Sequence, residues 1–302
     1  MANPSIASKP DSRGSLLHLL WRDKPAFFGA CFLTMLILLA VLGSALTGDA
    51  ATRINLRARN LGPFTLEQGW LFVLGADTLG RSILARLIIG SANTLAIAAA
   101  AVVASAIVGS ALGLIAGYVR GPTAQIMLRL TDLLISLPSL LLALVVLYVL
   151  GASPANVVLV LAITRIPVYL RTVYAVVLEL RERMYVTAAV VLGAKPRRII
   201  LHHLAPMVLP TIVSLATLDF AFLMLTESGL SFLGLGLQPP DISWGLMVAE
   251  GRGYLAQAWW ISFWPGLAIT LTTVFLNFVS EWVRVLNDPT QSWRLETGGR
   301  DA

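Results

Sequence analysis

The sequence predicts an all-α integral membrane protein with six transmembrane helices. Three observations carry this. Of 302 residues, 57% are hydrophobic and 13% charged, against about 25% charged in a soluble domain, so there are too few charges to coat a compact soluble body. The mean hydropathy is +0.80. The apolar residues also fall into long uncharged runs, and about 20 such residues cross a bilayer's hydrocarbon. The same numbers exclude intrinsic disorder. The single cysteine, Cys31, excludes a disulfide framework and a cysteine-based metal cluster.

The spans follow from the gaps between charges. Lys24 and Asp49 enclose a first span at 25–47. Between Arg86 and Arg120 there is room for one long span, 91–118, but not for two and a turn. Asp132 and Arg165 enclose Gly151-Ala152-Ser153-Pro154. Gly and Pro punctuate helices, so a tight hairpin of two spans is expected, 127–150 and 154–172. The fourth span contains Arg165 and ends near Arg171. The fifth, 207–229, contains Asp219 and has Glu227 at its outer end. The sixth, 261–283, ends near Glu281. The chain thus divides into an N-terminal segment 1–24, a transmembrane domain 25–290 and a tail 291–302. No extramembrane segment (49–91, 178–206, 230–260) is long enough for an enzyme domain.

Six spans put both termini on one side, and Lys and Arg in the loops choose the side. With the N-terminus inside, inner segments hold 14 Lys/Arg and outer segments six, although 49–91 is arginine-rich. Both termini are therefore expected in the cytoplasm. The first 24 residues are polar and the first apolar run is long enough to remain as an anchor, so no cleavable signal is expected.

Catalytic chemistry is missing from the sequence. It has no GxxxxGK[ST], HExxH or GxSxG pattern. The histidines are His18, His202 and His203, and adjacent histidines on a helix point about 100° apart. No catalytic residue, cofactor, metal site or nucleic-acid partner is expected. An ion-coupled secondary transporter would need its own ion site and commonly has inverted repeats or broken helices. Neither is evident here, and only Asp219 keeps that alternative open.

An ionisable group inside a span costs about 2.5–3.5 kcal/mol on insertion scales, so it faces protein or water. Asp219 and Arg165 are candidates to line a pathway or to pair with each other or with a partner chain; both readings stay open. Glu227 is a weaker pathway candidate, for which capping or pairing is expected. Arg129 and Asp132, spaced i, i+3, are expected to pair locally. Trp259, Trp260 and Trp264 suit an interfacial aromatic belt.

The loop 178–206 is the most informative segment. A helix is expected over 181–192, with Tyr185, Ala188 or Ala189, and Leu192 on one face. Gly193 suits the position after a helix C-terminus, and Pro196 the first turn of a second short helix. Pro206 and Pro210 follow at the entry to the fifth span. Such an elbow offers a small knob for a partner's groove.

This spacing resembles the EAA loop of bacterial ABC importer permeases, which runs Glu-Ala-Ala, three residues, Gly, then a downstream Pro. Thr187, Ala188, Ala189, Gly193, His203 and Pro206 occupy it, with Thr187 in place of the Glu. Gly75-Ala76-Asp77-Thr78-Leu79-Gly80-Arg81, with Arg86 and Gly90, resembles a block of the oligopeptide/dipeptide/nickel branch, with Ser82 where that branch has Asp. Arg129-Leu130-Thr131-Asp132 and Leu137-Pro138 are similar to its third span. Glu227 through Gly236, Pro239-Pro240, Trp244-Gly245, Trp264-Pro265-Gly266, Asn277, Glu281, Arg284 and Asp288-Pro289 follow its later signature. The resemblance covers roughly residues 20–290 and is to the second, C-type permease of a pair.

That resemblance implies a type I ABC importer permease fold in a bacterial or archaeal cytoplasmic membrane. It implies a second permease, two ABC ATPase subunits that hydrolyse the ATP, and an extracytoplasmic solute-binding protein. The loop would be a coupling helix seated in an ATPase subunit, and access would alternate as the ATPases close. Peptides are the leading solute, with nickel chelates or other small solutes as alternatives.

Overall fold

The computed structural model describes residues 14–66, 68–119 and 121–287. The tail 291–302, about half of the N-terminal segment, Arg120 and the Asp288-Pro289 pair lie outside the described residues. Eleven α-helices make up the described chain, with no β-strand among them. Five are long and apolar enough to cross a membrane, and a bent pair makes a sixth if it counts as one span.

Helix α1 is Gly14–Arg22, and α2 is Lys24–Thr47. The Asp23 carboxylate caps α2 by accepting from the Ala26 N–H at 3.2 Å. Helix α3, Ile83–Val119, has 37 residues. It begins before the expected position 91, because Arg86 is not a boundary exposed to water: it is 1% exposed. At about 1.5 Å per residue, α3 is far longer than a bilayer's hydrocarbon is thick, about 30 Å.

The expected third span, 127–150, is not one helix. Helices α4 (Pro122–Ser136) and α5 (Ser139–Leu150) meet at an angle of 89°. Pro138 explains the break, because proline drives the residue before it out of the α region, and Leu137 is extended at φ −89°, ψ 132°. The expectation that no helix is broken is therefore corrected. So is the Arg129–Asp132 pair: Asp132 of α4 instead pairs with Arg171, on the long helix that follows α5.

Helix α6, Pro154–Leu180, starts with Ser153 accepting from the Asn156 N–H at 3.2 Å, and runs past the expected end at 172. Helices α7 (Met184–Val191) and α8 (Pro196–Ile199) form the elbow. A π-helical turn, Ile200–Leu204, joins α8 to α9, Ala205–Phe232. Pro206 has no N–H to give the preceding turn, and the ladder widens immediately before it. Helix α10 is Trp244–Gly251 and α11 is Trp260–Asn287.

Small residues let the long helices approach. A Cβ on Gly109 would lie 2.7 Å from the Ile166 carbonyl oxygen, one on Gly113 2.6 Å from that of Leu170, and one on Gly117 2.7 Å from Val177. Three glycines at i, i+4, i+8 thus seat α3 directly on the α6 backbone, a device suited to lipid, where apolar surface alone does not drive helices together. One core gathers α2, α3, α9, α10 and α11 around Trp244 and Met224. A second gathers α3, α5, α6 and α9 around Leu161 and Leu223. The third lies at the far end of the bundle, under the elbow. Of the expected aromatic belt, Trp259 is 47% exposed. Trp260 instead donates to the Ala76 carbonyl at 3.1 Å, and Trp264 packs on the first core.

Candidate functional site

The elbow is built on the ends of three long helices. As α6 ends, the Arg181 guanidinium donates to the Tyr118 carbonyl at 2.8 Å and the Gly117 carbonyl at 3.3 Å. Those are orphan acceptors at the C-terminus of α3, where a cation also meets the helix dipole. After the turn at 181–183, α7 starts at Met184, later than the expected 181.

Helix α7 divides its faces sharply. Val186, 2% exposed, and Ala189 pack into the third core with Val173, Val177, Ile199, Leu204 and Val208. Thr187 and Ala188 face outward, as do Tyr185 at 42% and Leu192 at 87% exposed. Of the two alanines left open by the sequence, Ala188 therefore joins the face of Tyr185 and Leu192, while Ala189 turns to its own chain. Met184, Val190 and Val191 are exposed as well. A cluster of large apolar residues on a surface turn is a candidate interaction surface.

Gly193 stops α7. Its φ is +80°. Its N–H donates to Val190 at 2.9 Å, and the Ala194 N–H donates to Ala189 at 3.0 Å. These are the paired bonds of a Schellman motif, whose C′ position is left-handed. Pro196 opens α8. His203 lies in the π turn, its Nδ1 buried and unpaired among the described residues, while Pro206 stands exposed in the first turn of α9. The coupling-loop candidates thus lie on one elbow, whose core face is continuous with α6 and α9.

Midway along the bundle, Arg165 of α6 reaches Asp219 of α9. Its Nη2 bonds Asp219 Oδ1, and its Nε bonds Oδ2 at 3.2 Å. Asp219 is 2% exposed, and Arg165 also lies over the Phe222 ring at 4.6 Å. A bidentate, stacked guanidinium holds two helices at fixed geometry. The third pathway candidate, Glu227, is fully buried. It accepts from the Ser231 hydroxyl at 2.7 Å and the Ser228 hydroxyl at 3.4 Å. The structure does not bring it to Arg165 and Asp219, and among the described residues its partners are hydroxyls, neither an ion pair nor a helix cap.

At the end of the bundle opposite the elbow, Asp77 organises the turn before α3. Its Oδ1 accepts from the N–H groups of Leu79 and Arg81, both at 2.9 Å. Its Oδ2 accepts from Arg81 Nε and Arg86 Nη1, both at 2.6 Å. Glu250 of α10 meets Arg86 at 2.7 Å. Ser82, where the resembling block has Asp, caps α3: its Oγ accepts from the Ala85 N–H at 3.1 Å and donates to the Leu71 carbonyl at 2.6 Å. Two arginines of the arginine-rich segment are therefore neutralised in place. Sequence reasoning missed Glu250 and Arg181 because both act across long separations. The glycine triplet, also missed, has a readable signal, GxxxGxxxG at 109–117.

A family model described as "Binding-protein-dependent transport system inner membrane component" matches residues 109–292. The chain is 40% identical over 228 residues to a di/tripeptide transport system permease protein of Pseudomonas aeruginosa, covering 75% of each chain. It is 35% identical to a putative peptide transport system permease of Brucella abortus, covering 96% of this chain and 97% of that one. It is 34% identical to a nickel transport system permease protein of Escherichia coli, covering 78% and 83%.

Proposed function

The chain belongs to the family of binding-protein-dependent transport system inner membrane components, and we propose that it is the second permease of an unlike pair, carrying peptides. Membership makes it a multi-pass permease subunit of an ABC importer with the type I permease fold. Relatives named for di- and tripeptide or peptide transport support the solute. A relative named for nickel supports chelates as a second reading within the same class of importer.

The proposed assembly joins this chain to a second permease, two ABC ATPase subunits and an extracytoplasmic solute-binding protein. It lies in a bacterial or archaeal cytoplasmic membrane with both termini in the cytoplasm. ATP is hydrolysed in the ATPase subunits, not here. As they close on ATP, the elbow moves with them. The third core carries that motion into α6 and α9, and Arg181 carries it into α3. The permease pair then exchanges an inward-facing cavity for an outward-facing one, a rigid-body switch driven by differential nucleotide affinity. The Arg165–Asp219 pair keeps α6 and α9 moving as one body, a role its burial supports over direct solute contact.

The observation that carries this reading is the elbow, with Tyr185, Thr187, Ala188 and Leu192 displayed outward on a helix ended by the turn at Gly193. Ala188→Trp tests it in the assembled importer. A groove fitted to Ala cannot take an indole, so uptake should fail while the ATPases either dissociate or turn over without transport. Normal uptake with normal coupling would count against the elbow as the transmission element.

A further inference from the structure

Past the end of α2, the 3-10 turn Gly48–Ala51 forms one wall of a cavity of about 550 Å³, completed by Arg53, Asn55, Gln68 and Phe72. We propose that this cavity binds a zwitterion, an ammonium and an oxyanion held a few bonds apart. Asp49 and Arg53 both line it, and both are exposed. Among the described residues neither side chain has an ion-pair or hydrogen-bond partner. That is not the rule for this spacing in the chain: Arg81–Asp77 and Arg183–Glu179, also i, i+4, close to 2.6 Å and 2.5 Å.

The backbone holds this turn without using either side chain. The Asp49 carbonyl accepts from the N–H groups of Thr52 and Arg53 at 3.1 Å and 2.7 Å. The turn is thereby fixed, while the carboxylate and the guanidinium stay free on one cavity wall. Asn55 Nδ2 donates to Gln68 Oε1 at 3.3 Å. That bond leaves the Asn55 carbonyl to accept from an ammonium and the Gln68 amide to donate to an oxyanion. Phe72 supplies an apolar part of the lining.

Two sources present this chemistry. One is a short peptide, whose termini are an ammonium and a carboxylate; this arm rests on the peptide reading above. The other is an ethanolamine headgroup, an ammonium beside a phosphate, because the cavity lies just past the end of an apolar helix long enough to span. The test uses the assembled importer in nanodiscs without the solute-binding protein. Calorimetric titration with the dipeptide Ala-Ala is set against its N-acetylated, amidated form. Native mass spectrometry compares retention of phosphatidylethanolamine and phosphatidylglycerol. Asp49→Asn and Arg53→Gln are the variants. Neither side chain holds another part of the described chain, so both variants should assemble.

The proposal expects one zwitterion to bind, each variant to weaken it about tenfold or more, and its non-zwitterionic counterpart to bind no better to wild type than to the variants. Dipeptide binding of this kind assigns the solute; selective ethanolamine retention assigns the lipid. If neither zwitterion binds, or if binding is equal in wild type and both variants, the proposal is overturned. Wild-type uptake of nickel chelates without peptides would remove the peptide reading and leave the lipid arm standing.

Discussion

Substituting Gly193 separates backbone conformation from steric contact. Gly193 sits at φ +80°, and a Cβ built there meets nothing within 4 Å. Any effect of a side chain therefore comes from the left-handed backbone, which costs a residue with a Cβ roughly 1–2 kcal/mol, with β-branched residues worst placed. If the turn escapes that cost by opening, it loses the bonds to Val190 and Ala189, each worth about 1 kcal/mol net. A deficit of about 2 kcal/mol changes an equilibrium about 30-fold, enough to misdirect α8 in most molecules. Uptake coupled to ATP hydrolysis should then fall in the order Gly, Asn, Ala, Val, because Asn tolerates this conformation at helix ends. Uptake and ATPase activity are measured together in reconstituted vesicles, with assembly checked by gel filtration. Equal coupling for Gly193→Val and wild type would refute the argument, as would Asn faring worse than Val.

Three further substitutions probe the frame. Asp219→Ala leaves the part-buried Arg165 without its partner and should cost about 2–3 kcal/mol, below the roughly 3–5 kcal/mol of a fully buried pair, read as a lower thermal midpoint in detergent; the double variant Arg165→Met, Asp219→Leu should recover most of it, and an unchanged midpoint for Asp219→Ala would contradict the pairing. Gly113→Leu drives a side chain into the Leu170 carbonyl and should cost about 1–3 kcal/mol or more. Its control on the same helix is Ile107→Ala, at 65% exposure, which should barely move the melt; equal losses for the two would count against the close approach of α3 and α6. Ser82→Ala removes both the cap of α3 and the donation to the Leu71 carbonyl and should cost about 1–2 kcal/mol; an unchanged midpoint would sink that assignment.

Much of this architecture is legible in the residues, and the errors share a cause. Reading spans from gaps between charges treats every charge as solvated. Arg86 violates that, because Asp77 and Glu250 accompany it into the interior, and α3 therefore starts well before 91. The same assumption shortens α6, which continues past Arg171 to Leu180. The break between α4 and α5 is present as Leu137-Pro138, but a continuous apolar run masks it. At the elbow, Gly193 and Pro196 are readable because each imposes a local backbone demand. That Ala189 faces inward and Ala188 outward is not, since it depends on Val173 and Val208 from distant helices. Asp219 and Arg165 can be nominated by the cost of an ionisable group in a span, but only the fold pairs them.

If the elbow transmits ATPase motion, Ala188 lies against an ATPase subunit, and cross-linking reads that contact. With Cys31 replaced by Ser, a cysteine is introduced at Ala188 and the importer is assembled with its ATPase subunits. A short thiol-reactive photo-cross-linker is attached, and adducts are resolved with and without ATP. The expected result is an adduct with an ATPase subunit, and no labelling of that cysteine by an impermeant reagent added outside sealed cells. An adduct with the solute-binding protein, or labelling from outside, would contradict it.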